Sequence, residues 1–314
     1  MASQATALTA RPAPRSSGVR NTGRHRTTAA GYLFAAPYLL IFTAFLALPI
    51  VASFIMSFTD FGLGDLADPL GARFVGLANF GALFADDTFR QAALNTFLYT
   101  AFGVLATLAL GLAAAVGLNR GLGKLSGLFR VGYYLPVVTS IVAIAVVWRF
   151  LLDPDYGLLN AVLRLVGVSP ANWLGDPNLA LPTITAIVVW RNLGNAMVLF
   201  LAGLQGIPNE VYEAGRIDGA NRWQEFWRIT WPLLSTTTLF TAVMTSIGYL
   251  QIMEEPFVMT QGGPLNRTLS VSIYMYQQGF NFFHLGYASA IAYTMFVVIA
   301  AITVVQFRVL RSQT

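Results

Sequence analysis

The stretch Glu213-Ala214-Gly215-Arg216-Ile217-Asp218-Gly219-Ala220, carried on to Ile229-Thr230-Trp231-Pro232, is short, amphipathic and charged. It stands between two long apolar runs, 177–209 and 229–253, in a chain otherwise almost free of charge. A segment of this kind lies at a membrane surface if the runs on either side span a bilayer. Whether they do decides the fold.

Composition answers first. Of 314 residues, 56% are hydrophobic and 11% charged, against about 25% charged in soluble domains. Too few charges are present to cover a soluble surface of this size. The net charge of +5 does not argue for nucleic acid, because the basic residues sit at the ends of apolar runs, where they orient a membrane protein. With no cysteine there is no disulfide framework, Cys-ligated zinc or thiol nucleophile. The two histidines, His25 and His284, are too few for a multi-histidine metal site.

Residues 1–30 are different material. Arg11, Arg15, Arg20, Arg24 and Arg26 stand among Ser, Thr, Ala and Pro with no acid. Such a segment buries too little apolar surface to fold and is expected to be a disordered basic cytoplasmic tail. An Arg-rich transit peptide is the competing reading. The charge-free run that follows, Gly31 to Thr59, is too long for the apolar core of a signal peptide, so it is read as a retained helix.

A helix needs about 20 apolar residues to cross the hydrocarbon core. Charge-free windows occur at 31–59, 91–119, 131–148, 229–253 and 268–307, and 177–209 is interrupted by Arg191 alone. The reading is an all-α membrane protein with six transmembrane helices, near 32–58, 92–117, 131–151, 181–204, 232–253 and 285–307. Putting the N-terminus inside places thirteen Lys and Arg on inner segments and five on outer ones. That bias sets both termini and the 205–231 loop in the cytoplasm. The expected organisation is the tail 1–30, a first helix with an extracytoplasmic loop over 31–90, and a five-helix core over 91–310. Pro37, Pro49, Pro136, Pro182 and Gly194 punctuate the spans, and ordinary helix packing explains most of them.

Within the loop, Pro208 suits a helix start, and Asn209 to Arg216 supply about two turns. Gly219 can take the left-handed conformation that redirects the chain. Asn221 with Gln224 forms a capping-box pattern. Trp223, Phe226 and Trp227 then share one helical face. Two short helices at an angle would make a rigid protrusion. Physics alone also allows an interfacial anchor helix.

The full spacing resembles the cytoplasmic EAA loop of ATP-binding-cassette importer permeases: Glu213-Ala214, then Asp218-Gly219-Ala220, then Ile229 and Pro232. Gly215 and Trp231 depart from it, standing where Ala and Leu are usual. Asp153-Pro154-Asp155-Tyr156-Gly157-Leu158-Leu159-Asn160, Asn172-Trp173-Leu174-Gly175-Asp176-Pro177, Met259-Thr260-Gln261-Gly262-Gly263-Pro264 and Tyr287-Ala288-Ser289-Ala290 are similar to sugar importers of the MalF and UgpA type. Matching segments run over about 31–310. The resemblance implies the type I importer permease fold and a carbohydrate substrate. It also implies a second homologous permease, two ATPase subunits and an extracytoplasmic solute-binding protein. Glu213 becomes the ATPase-contacting acid and Gly219 the turn, with Ala214, Asp218 and Ala220 beside them. No cofactor is implied, since ATP is used by the partner, and this chain has no phosphate-cradling Gly-x-x-x-x-Gly-Lys-Ser/Thr loop.

Arg191, midway along the fourth span, would cost roughly 2.5–3.5 kcal/mol there, so it should face a cavity or pair with an acid. Trp190, Asn192 and Asn195 can hold a polyol, and Gln251, Glu254 and Glu255 end the fifth span near the outer side. These seven are the candidate substrate path. A glycerophosphate could use Arg191 instead, although Glu254 and Glu255 would repel an anion. An ion-coupled secondary transporter would want intramembrane acids. A membrane enzyme would want a nucleophile, and no Ser/His/Asp set stands in the spans. A passive scaffold would not need the 213–232 spacing.

Overall fold

The computed structural model describes residues 23–68, 71–119, 121 and 125–311. Most of the basic tail, along with Arg120 and Lys124 of the orientation census, lies outside them. The chain forms two units, Met1–Ala52 and Ser53–Thr314.

Helix α1 (Gly23–Phe42) starts before the charge-free run does. It passes through a π turn, Thr43–Ala47, into α2 (Leu48–Met56). Leu48 N–H donates to Thr43, and the next residue is Pro49. A proline lacks the N–H and its ring crowds the carbonyl four residues back. A π turn placed just before it lets the helix continue, as membrane helices require. The apolar side chains of Phe34, Leu40, Phe45 and Leu48 are exposed, as befits a helix meant for lipid.

In the second unit α3 (Ala78–Ala85) leads to α4 (Asp87–Asn119), which at 33 residues is the longest described helix. Then come α5 (Ser126–Val138), α6 (Ile141–Leu151), α7 (Leu158–Leu165) and α8 (Ala180–Gln205). The loop carries α9 (Asn209–Ile217), α10 (Arg222–Glu225) and α11 (Trp231–Leu233). The chain closes with α12 (Ser235–Leu250), α13 (Glu254–Thr260), α14 (Val271–Tyr276) and α15 (Leu285–Arg311). Four described helical stretches are long and apolar enough to cross a membrane, and the number rises to six if each of two bent pairs is one span.

The third span corrects the straight helix read over 131–151. Helices α5 and α6 meet at 99°. The break is not at Pro136, which lies inside α5. It falls at Thr139, whose hydroxyl donates to the Leu135 carbonyl at 2.8 Å while its backbone turns extended. The same bond occurs at Thr100, Thr185 and Thr241 inside unbroken α4, α8 and α12, so what marks the break is the non-helical backbone of Thr139 and Ser140. The fifth span also differs. Beyond α12 the chain breaks at 251–253 and folds on as α13, which packs against α6 and α8.

Helix α8 is the axis of this unit, packed against α4, α5 and α12. Gly194 permits the α5 contact, since a Cβ there would sit 2.2 Å from the Tyr133 carbonyl. Small residues at such crossings replace the hydrophobic drive that lipid does not supply. Ile184, Met197 and Phe200 on α8 are buried, so the helix ends on either side of it are held at fixed positions.

Candidate functional site

The loop after α8 is built from local chemistry. Pro208, extended at φ −60° and ψ 140°, precedes α9 as its cap rather than its first residue. At the far end of α9, Gly219 N–H donates to Arg216 and Ala220 N–H to Gly215, at 3.0 and 2.9 Å. Those two bonds make a Schellman stop, and its left-handed position is Gly219 at φ +82°. The Asn221 side chain then accepts from Trp223 and Gln224 N–H, while Gln224 Oε1 accepts from Asn221 N–H at 2.9 Å. That reciprocal pair opens α10. The helix continues through a π turn, Phe226–Thr230, into α11, with Pro232 just beyond it. The placement repeats that at Pro49. The run Arg222–Leu233 meets the fifth span at 67°.

Side chains tie the two loop helices together. Arg216 Nε donates to Glu225 Oε1 at 2.8 Å, with the Glu225 side chain 10% exposed and that of Arg216 66%. Tyr212 and Thr230 share a hydroxyl hydrogen bond of 3.1 Å. A Cβ on Gly215 would stand 2.6 Å from Ile229 Cδ1, so the glycine, where alanine is usual, lies directly against Ile229. A polar cavity of about 360 Å³ opens beside these residues, lined in part by Asn119, Asn209, Glu213 and Arg222. Glu213, Ala214, Asp218 and Gly219 are exposed and Ala220 is half-buried. Among the described residues, the carboxylates of Glu213 and Asp218 make no hydrogen bond or ion pair.

The seven candidate path residues do not form one cluster. Arg191 and Glu255 meet in an ion pair of 2.7 Å, their side chains 16% and 2% exposed. Glu255 is therefore not at an outer rim. Beyond the break at 251–253, α13 packs against α6 and α8 and so brings Glu255 to Arg191, and sequence spacing carries no sign of that packing. Asn192 is in hydrogen-bonding reach of Tyr249. Asn195, Gln251 and Glu254 are exposed. Trp190 packs edge-on to Trp148 at 5.6 Å and lines a separate, mainly apolar cleft of about 860 Å³ between α4 and α8, with Gln91, Asn95 and Arg267 at one end.

A further polar group escaped sequence reading. Asp86 caps α4 by accepting from Thr88 and Phe89 N–H and receives the hydroxyls of Tyr274 and Tyr287. Burial pushes its pKa up, but the two tyrosine bonds and the two backbone bonds together hold it below the ordinary 3.8. Burial and the Asp86 carboxylate push Tyr274 up to about 12. Gln278 extends the chain of bonds to His284. An Asp just ahead of a long apolar run is a cap signal; the tyrosines, nearly two hundred residues on, give none.

Comparison with known proteins agrees with this architecture. Residues 107–312 match the family described as binding-protein-dependent transport system inner membrane component. The chain is 37% identical over 284 residues to the probable ABC transporter permease protein YesP of Bacillus subtilis, covering 89% of each. It is 34% identical to the arabinooligosaccharides transport system permease protein AraP of the same organism, covering 89% of this chain and 88% of that one. The fold matches a chain in the crystal structure of a bacterial ABC transporter involved in the import of the acidic polysaccharide alginate. There the TM-score is 0.80 at 23% identity, covering 93% of this chain and 98% of the other.

Proposed function

The chain belongs to the family of binding-protein-dependent transport system inner membrane components, an integral membrane transport subunit rather than an enzyme, and from that premise we propose that it forms half of the pathway by which an ATP-binding-cassette importer takes up a neutral carbohydrate. The observation that carries the proposal is the loop: a two-helix protrusion, fixed by a Schellman turn and a capping box, presenting Glu213 exposed and unpaired among the described residues. A rigid element with a free carboxylate suits a charge-assisted contact with another subunit. Glu213, Ala214, Asp218, Gly219 and Ala220 are the surface offered to one of two ATPase subunits. A second, homologous permease completes the pathway, and an extracytoplasmic solute-binding protein delivers the sugar.

The substrate class rests on charge and on likeness. Arg191 is neutralised by Glu255, so the middle of the fourth span presents no net charge to attract an anion. That supports a neutral polyol over a glycerophosphate, and the arabinooligosaccharide permease AraP points the same way. Arg191 with Asn192 and Asn195 on α8, and Gln251 with Glu254 and Glu255 beyond α12, are the path candidates. Trp190, on another face of α8, is the weakest of the set.

The test is ATPase activity of the complete complex with its binding protein, measured against a panel of sugars and glycerophosphates. Stimulation by one class of neutral oligosaccharide is expected. Stimulation by glycerophosphates alone would replace the carbohydrate reading. If no ATPase copurifies and uptake follows an ion gradient, the chain is a secondary transporter. Sidedness has its own test. The chain has no cysteine, so Asn209→Cys introduces a single label site on the exposed start of α9. With both termini and the 205–231 loop in the cytoplasm of a cell-membrane protein, it should react from the cytoplasmic side alone. Labelling from outside would invert the topology and remove the docking argument with it.

A further inference from the structure

The two loop helices are joined by a turn whose backbone bonds are all local: Asp218 N–H to Ala214, Gly219 to Arg216, Ala220 to Gly215. None of these reaches past the turn to α10. What fixes one helix against the other is a row of side chains, with Tyr212, Gly215 and Arg216 on one face of α9 meeting Thr230, Ile229 and Glu225. Within that row the Arg216–Glu225 pair is the charged member, and its acid is nearly buried.

A buried carboxylate is an expensive way to join two helices if stability is all that is required. Two apolar residues of similar volume often do as well or better, and a buried ion pair is best attested where it fixes a register. The surroundings show what is at stake. Glu213 lies three residues before Arg216, the spacing at which an acid and a base on one helix attract each other. Both line the same polar cavity. Arg216 nevertheless bonds Glu225 at 2.8 Å, and Glu213 is left unpaired among the described residues.

We propose that Arg216 and Glu225 are positioning residues for energy coupling: their ion pair clasps α9 to the Arg222–Leu233 run so that the loop moves as one lever, and it keeps Arg216 away from Glu213. The proposal rests on the reading of 205–231 as the ATPase-coupling loop. Glu225 acts through Arg216. With the pair intact, force applied to the exposed carboxylate of Glu213 is carried through α9 to α10, α11 and the fifth span. With Glu225 neutral, α9 is released to pivot about Gly219. Arg216 is then free to turn on the very acid that must face outward.

The experiment uses the full complex with ATPase subunits and loaded binding protein, and reads substrate transported per ATP hydrolysed. Loss of folding reduces the amount of complex without changing that ratio. Arg216→Gln and Glu225→Gln should each lower it about fivefold or more, the lower end of ordinary coupling factors. Arg216→Lys, which keeps the charge, should recover most of it. The double variant R216Q/E225Q removes both charges together, so it leaves no buried unpaired charge and should assemble; it too should uncouple. If the double variant keeps the wild-type ratio while Glu213→Ala loses it, the clasp is overturned and the loop reading survives. If Glu213→Ala also keeps the wild-type ratio, the loop reading fails and the clasp fails with it.

Discussion

Glu213→Ala and Gly219→Val will separate ATP hydrolysis from arrival of the loaded binding protein, without changing which sugar is recognised. Glu213 is exposed and without a partner among the described residues, so alanine costs the isolated chain little. What it removes, under the proposed role of the loop, is a charge-assisted hydrogen bond to an ATPase subunit, roughly twice the strength of a neutral one. Gly219 acts through the backbone. It holds φ at +82° as the left-handed residue of the Schellman turn. A side chain there costs about 1–2 kcal/mol, and a β-branched one is worse placed than most. Valine should force the turn open and re-aim α9. Transport rate and ATPase activity are measured together, with and without loaded binding protein. Stimulation should fall by about fivefold to a hundredfold, the span of ordinary coupling energies. Wild-type stimulation in both variants would deprive the loop of its proposed role.

The second large effect is expected at Arg191 and Glu255. Read from its sequence, Arg191→Leu would be a transport variant. The structure makes it a stability variant first. Leucine would strand the Glu255 carboxylate, 2% exposed, without its partner, at a cost of about 3–5 kcal/mol. A single substitution should therefore lower the unfolding temperature of the purified complex and its yield. Replacing both charges, as in R191L/E255L, removes the stranded ion and should restore most of the stability. Transport distinguishes the two accounts of the pair. Impaired uptake in the stable double variant supports a place on the sugar path. Wild-type uptake would make the pair a staple between α8 and α13 and nothing more.

These two sites also show how far the residues could be read in advance. The six spans were legible because charge is absent from long windows, a property of composition that needs no knowledge of contacts. The loop was legible in detail for a similar reason. A left-handed glycine, an Asn cap and a Gln three residues later act on their own neighbours, so local sequence holds the whole cause. The bend at Thr139 was not legible, because the residues on both sides stay apolar and neither glycine nor proline stands at the break. Nor was the partner of Arg191. Its need for an acid followed from its depth in the span, but the identity of Glu255 depends on how α13 packs against α8. The clasp was hidden by the turn itself, since Arg216 and Glu225 lie on separate helices and no helical spacing relates them. Contacts between helices were lost to sequence reading, as was the bend at Thr139, while the caps and turns of the loop were kept.

The π turn at Phe226–Thr230 has a consequence for how this loop tolerates change. A π turn amounts to one residue inserted into an α-helix, and one residue is about 100° of rotation around the axis. The extra residue works as a phase shifter between two faces of a single run. Upstream of it, Glu225 is aimed at Arg216; downstream, Leu234 is fully buried against the bundle. Deleting Arg228 alone would leave Glu225, Ile229, Thr230 and Leu234 in the chain and still turn one face away from its target. The spacing between Gly219 and Pro232 is thus a dimension of the molecule rather than a linker length, and substitutions within it should be borne far better than a change of length.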